Sequence, residues 1–190
     1  ASTDDCTRDI ARPEDVVLGI GDARMARHAS WEALDRLGCD AVEDARFVDG
    51  EARDAGRELF EQAATLPEGR AIVRAGETTV TVRGRGVGGR NQELALAFAL
   101  VAEQRGDDCW LAALATDGRD GPTDAAGAFV DRDTAARARS CGVDPARALD
   151  ENDAYRALDA AHALVRTGPT GTNVNDLFVI GRRLGRGDDT

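Results

Sequence analysis

The chain has 190 residues, 42% of them apolar, and 35 acidic against 24 basic side chains give it a formal charge of −11. That apolar share excludes a disordered chain, and the charge excludes nucleic acid and anionic membranes as partners unless a local basic patch intervenes. All the bases are Arg and there is no Lys, so any catalytic or phosphate-binding lysine must come from outside this sequence.

In chain order, Val16-Val17-Leu18-Gly19-Ile20 reads as a buried strand. A helical pattern follows from about Asp22 to Leu37, stopped at Gly38. Ala41 to Val48 can form a second strand, and Glu51 to Ala64 a second helix that ends before Pro67. This βαβα opening predicts a parallel, layered arrangement. From Ala71 the character changes: Ala71 to Arg74 and Thr78 to Arg83 read as short strands, the second alternating β-branched residues. The turn Gly84 to Gly89 leads into a helix, Asn91 to Glu103, that is apolar on nearly every face and therefore buried. Cys109 to Ala115 is a buried strand, helices fill most of 132–162, and Asp176 to Ile180 is a last strand. The expected fold is α/β: a layered mixed or parallel sheet flanked by helices, with glycine-rich loops at the strand ends. Residues 1–70 would close a preceding segment and 71–190 would form a C-terminal domain.

Three loops carry candidate chemistry. In VRGRGVGGRNQE, Gly86, Gly88 and Gly89 let backbone approach a ligand closely. The following helix offers free N–H groups and the positive end of its dipole, with Arg85 and Arg90 beside it. A tight turn capped by Asn91 is the plainer reading. The glycines also match G-x-G-x-x-G, so a nicotinamide-dependent dehydrogenase has to be considered. The acid that motif requires is misplaced, since Asp107 and Asp108 precede the next strand and Asp117 comes too late. In LATDGRDGPTDAAGA, Asp117, Asp120 and Asp124 follow a buried strand, where carboxylates can hold Mg²⁺ or sugar-acid hydroxyls; the same residues simply make good turns. In TGPTGTNVND, the hydroxyls of Thr167, Thr170 and Thr172, the amides of Gly168 and Gly171, and Asn173 and Asn175 can form a lysine-free anion nest.

These blocks, in this order, resemble the C-terminal domain of the type 2 glycerate kinases, the MOFRL domain, a family that also goes under the name hydroxypyruvate reductase. The matching stretches are Gly76 to Leu96, Ala115 to Ala128, Asn152 to Tyr155 and Thr167 to Leu177, with a looser match over 14–66. The resemblance implies ATP- and Mg²⁺-dependent phosphorylation of D-glycerate on its 2-hydroxyl, in a cleft between two domains. It places catalysis on Arg90 and Asp117 and metal on Asp117 and Asp120. Substrate or phosphate binding falls on Gly86, Gly88, Gly89, Asn91, Thr116, Asp120, Thr170, Gly171, Thr172 and Asn173. It also implies a partner, an N-terminal kinase domain carrying the family's lysine, without which the chain is expected to be inactive. The other readings are an NAD(P)-dependent hydroxypyruvate reductase and a non-catalytic module that binds small acids.

The remaining features bound the setting. The longest apolar run, Leu94 to Ala102, is too short to span a membrane. ASTDDCTRD has neither the basic start nor the apolar core of a secretion signal. We therefore expect a cytoplasmic protein, in a high-salt interior given the Asp excess, and a homodimer is left open. Cys6, Cys39, Cys109 and Cys141 stand singly and apart from His28 and His162, the wrong spacing for zinc.

Overall fold

A computed structural model describes residues 21–183. Its six strands are β1 (Asp40–Glu43), β2 (Arg70–Gly76), β3 (Cys109–Ala115), β4 (Gly127–Asp131), β5 (Leu164–Val165) and β6 (Asp176–Arg182). They form one sheet in the spatial order β1-β2-β6-β3-β4-β5. β1 runs parallel to β2, and the other four pairings are antiparallel. The expected mixed sheet flanked by helices is therefore present, with more antiparallel pairing than the βαβα opening suggested. The expected strand at Val16–Ile20 lies outside the described residues.

The helices are α1 (Ala23–Arg36), α2 (Ala52–Ala64), α3 (Arg90–Arg105), α4 (Thr134–Ser140), α5 (Pro145–Asp150) and α6 (Ala154–Ala160). α3 is the central one. Leu94 to Ala99 and Ala102 are all fully buried, because α3 packs against α2, α4, α5 and α6 as well as β3 and β4. One sheet face, with Leu111, Val130, Phe178 and Ile180, completes this core. The other face carries α1, which contacts β1, β2 and β6. α1 starts at Asp22, whose carboxylate accepts from the backbone N–H groups of Arg24 and Met25.

Local sequence accounts for most of these boundaries. Gly106, at φ +72°, ends α3 in the left-handed conformation that glycine tolerates. One expectation changes, and two strands are added. Thr78 to Arg83 forms no strand; it is held by an isolated bridge from Thr79 to Glu51, by the Glu51 carboxylate, which accepts from the Thr81 N–H and hydroxyl, and by Asn152, which accepts from the Arg83 N–H. β4 and β5 lie in stretches to which the sequence assigned no element, where pairing of β4 with β3 and of β5 with β4 supplies what local pattern does not. The boundary expected at residue 70 coincides with the start of β2, inside the sheet, and α2 shares its core with α3.

Candidate active site

Sheet topology brings the three loops together. The first leaves the C-terminal end of β2 and enters α3. The second joins the end of β3 to the start of β4, and the third joins β5 to β6. Given the strand directions, all three lie at one end of the sheet, where α/β proteins place ligands. They also touch. Thr170 donates its backbone N–H to the Asp117 carbonyl and its hydroxyl to the Thr116 carbonyl. The Thr116 hydroxyl donates to the Asn175 carbonyl at 2.7 Å and accepts from the Val174 N–H. Thr116 and Thr170 thus stitch the second loop to the third. Gly171, Thr172 and Asn173 stay exposed beyond them.

Most of the glycine turn faces protein. A Cβ on Gly86 would lie 2.4 Å from the Asp153 Cβ, and one on Gly89 would lie 2.2 Å from the Asp120 carboxyl carbon. Asn152 accepts from the N–H groups of Arg83 and Gly84, at 2.7 and 2.9 Å, and donates to the buried Glu93, which also pairs with Arg53. The Asp153 carboxylate takes the Val87 N–H, and the Glu151 carbonyl takes that of Gly86. Among the described residues, the N–H groups of Gly88 and Gly89 have no acceptor, and both residues line a cleft of about 700 Å³ shared with Arg90, Thr78 and Val80. The dinucleotide motif thus loses its context: no strand runs directly into it, since β2 ends at Gly76, and Gly86 approaches the molecule's own backbone.

The three acids of the second loop diverge. Asp120 turns inward and caps α3, accepting from the Asn91 N–H at 3.1 Å and the Gln92 N–H at 2.8 Å. The cap is this carboxylate; Asn91 lies inside the helix and donates its own side-chain amide to Asp120. Burial pushes the Asp120 carboxyl up to about 6, against the pull of those donors. Asp117 folds back on its own turn, accepting the Arg119 N–H at 2.9 Å. Asp124 is held by Tyr155 and Arg166, and the Tyr155 hydroxyl first of all keeps its carboxyl below the usual range. Among the described residues, no three His, Cys, Asp or Glu side chains stand close enough to hold a metal ion. Asp120 is unsuited to a metal, being buried with both oxygens taken; Asp117 keeps one oxygen free and fits an ion that brings most of its own ligands.

Arg90, the first residue of α3, is fixed from behind. Its Nε and Nη2 donate to the two carboxylate oxygens of Asp176 at 2.6 and 3.1 Å, and the Asp176 side chain is only 1% exposed. Burial pushes the Asp176 carboxyl up, and the Arg90 guanidinium pulls it back. The outward Nη1 donates to Glu77 Oε1 at 2.9 Å, and Asn175 Nδ2 donates to Glu77 Oε2 at 3.1 Å. Sequence alone did not single out Glu77, Asp176 or Asn152. Each sits in a motif block, yet nothing local marks which distant partner it meets.

Residues 70–176 match the MOFRL family. A D-glycerate 2-kinase of Thermotoga maritima is 48% identical over 139 residues, covering 70% of this chain and 33% of that protein. A glycerate 2-kinase of Pyrococcus horikoshii is 41% identical over 152 residues, covering 76% and 34%. The crystal structure of a Thermotoga maritima glycerate kinase superposes with a TM-score of 0.78 at 40% identity, over 85% of this chain and 41% of that one. The chain spans about a third of the length of these curated relatives.

Proposed function

Because the chain belongs to the MOFRL family, we propose that it provides the C-terminal, ligand-handling part of a glycerate 2-kinase, which phosphorylates the 2-hydroxyl of D-glycerate at the expense of ATP. The observation that carries this reading is the convergence of three loops on one sheet end, where the fixed guanidinium of Arg90 and the unpaired N–H groups of Gly88 and Gly89 share a cleft. Neutral donors and one immobile cation are what a site for small anions needs when no lysine is at hand.

The geometry supports the following division of labour. Gly88 and Gly89 offer backbone donors to a phosphate group. Arg90 supplies the positive charge that a ligand anion meets, and Asp176 holds its orientation. Thr116 and Thr170 set the position of the loop that carries Gly171, Thr172 and Asn173. The free oxygen of Asp117 is the place for a single contact to Mg²⁺, which when bound with nucleotide would neutralise phosphate charge. Asp120 acts through α3, as a cap. Residues beyond this chain's third of the family length would have to provide the remaining phosphate contacts, and in particular a lysine. A nicotinamide-dependent reductase fits less well, because the glycine turn approaches its own backbone.

The test is a coupled assay for 2-phosphoglycerate with D-glycerate, ATP and Mg²⁺. The chain alone is expected to be silent, and mixing it with the N-terminal part of a glycerate kinase should restore turnover. Consumption of NADH with hydroxypyruvate, and no phosphorylation in the mixture, would overturn the proposal.

A further inference from the structure

Glu77 makes a contact that the kinase reading does not use. Its side chain is 52% exposed, yet its two oxygens are taken one each by donors from different loops: Arg90 Nη1 at 2.9 Å and Asn175 Nδ2 at 3.1 Å. Neither donor is free to wander. Arg90 is clamped by the buried Asp176 through its other two nitrogens. Asn175 sits at φ +70° immediately before β6, and its carbonyl is bound by the Thr116 hydroxyl. Thr78, the residue after Glu77, lines the same cleft as Arg90, and its hydroxyl is buried without a partner among the described residues. Two fixed donors are therefore spaced for the two oxygens of one carboxylate.

We propose that Arg90 Nη1 and Asn175 Nδ2 form a seat for the carboxylate of a small hydroxy acid, and that Glu77 occupies this seat until the ligand displaces it. Charge selects a monoanion. Asp176 already neutralises Arg90, so exchanging Glu77 for a second carboxylate leaves the local charge unchanged, whereas a phosphate dianion would add charge beside a buried carboxylate. Glu77 is the member that can leave, since its side chain is exposed and an exposed ion pair is weak. The identity of the natural ligand as D-glycerate rests on the kinase reading. With it, Arg90 meets the substrate carboxylate and not the transferring phosphoryl group, and Glu77 sets how tightly substrate is held.

The experiment is a titration of the isotope-labelled chain followed by NMR at the Arg90 and Asn175 side-chain N–H groups, with D-glycerate, L-lactate, glycerol and inorganic phosphate as probes. Glu77→Ala should tighten D-glycerate and L-lactate about three- to fivefold, the size of the exposed contact removed. Adding Asn175→Ala should cancel the gain, and glycerol should not bind. Glu77→Gln, which keeps the shape of the side chain, should give a smaller gain and serves if Glu77→Ala fails to fold. Unchanged or weaker L-lactate binding in the folded variant, no binding by any form, or an equal gain for phosphate would overturn the inference. L-lactate separates this test from the kinase reading. A gain for it without phosphorylation anywhere would leave the seat standing and remove the reading, while phosphorylation without a gain would remove the seat alone.

Discussion

Asp120 is held near a carboxyl value of about 6 by burial, against 3.8 for the ordinary group. Below about pH 4 the native and unfolded states both keep the proton. Between about pH 4 and 6 the unfolded chain releases it first, so this group's contribution to stability falls as pH rises, by about 2–3 kcal/mol in all, and is flat above. Denaturant unfolding from pH 4 to 7 should show a steeper fall in the wild type than in Asp120→Asn, and parallel curves would contradict the burial argument. Arg90 raises a different issue. Arg90→Ala leaves Asp176 buried and unpaired, so it should cost about 3 kcal/mol of stability besides any activity, and Arg90→Lys distinctly less. Equal urea midpoints for the wild type and Arg90→Ala would show that Asp176 does not depend on this pair. At this scale the sequence was legible in residue type and not in pairing. Arg90, Asp120 and Asn175 stood out as polar groups in glycine-rich loops, but that Asp120 caps α3 depends on a contact 29 residues away, which no local pattern encodes.

α3 shows what element-level pattern can and cannot convey. Its unbroken apolar run implied burial on all sides, and the structure surrounds it accordingly with helices and strands. β3 was legible to the residue for the same reason, as a short apolar stretch between turn signals. Thr78 to Arg83 misled because alternation of β-branched residues describes a strand only if a neighbouring strand is there to pair, and β6 already occupies the far edge of β2. The α2–α3 contact was invisible in sequence and is a tight one. Gly56 in α2 faces the Leu94 carbonyl of α3, and a Cβ there would lie 2.3 Å from that oxygen. Gly→Ala in an open helix stabilises by about 1 kcal/mol. Here overpacking should win, and Gly56→Ala should destabilise by about 1–3 kcal/mol in thermal melts. A raised melting temperature would mean that the two helices are not in contact as described.

Across the whole molecule, charge is the dominant feature. With 35 acids against 24 bases, self-repulsion opposes the compact state, and salt relieves it as the screening length shrinks from about 10 Å at 0.1 M to about 3 Å at 1 M. We expect the melting temperature to rise over that range, in keeping with the high-salt setting that the composition suggested; a fall would mean that the surface ion pairs outweigh the net charge. No helix among the described residues is long and apolar enough to cross a membrane. The order of the glycine-rich blocks carried the family, and the sheet explains why: each block is a connection at the same end of the strands, so the motifs are distant in sequence and adjacent in space. We propose that this assembly of loops works as the C-terminal third of a glycerate 2-kinase. The direct measurement is a chimera in which residues 40–183 replace the corresponding part of the Thermotoga maritima D-glycerate 2-kinase, assayed for 2-phosphoglycerate from D-glycerate and ATP. The account predicts turnover, strongly reduced by Arg90→Lys while the fold is retained. A folded chimera without turnover, or one indifferent to Arg90→Lys, would contradict it.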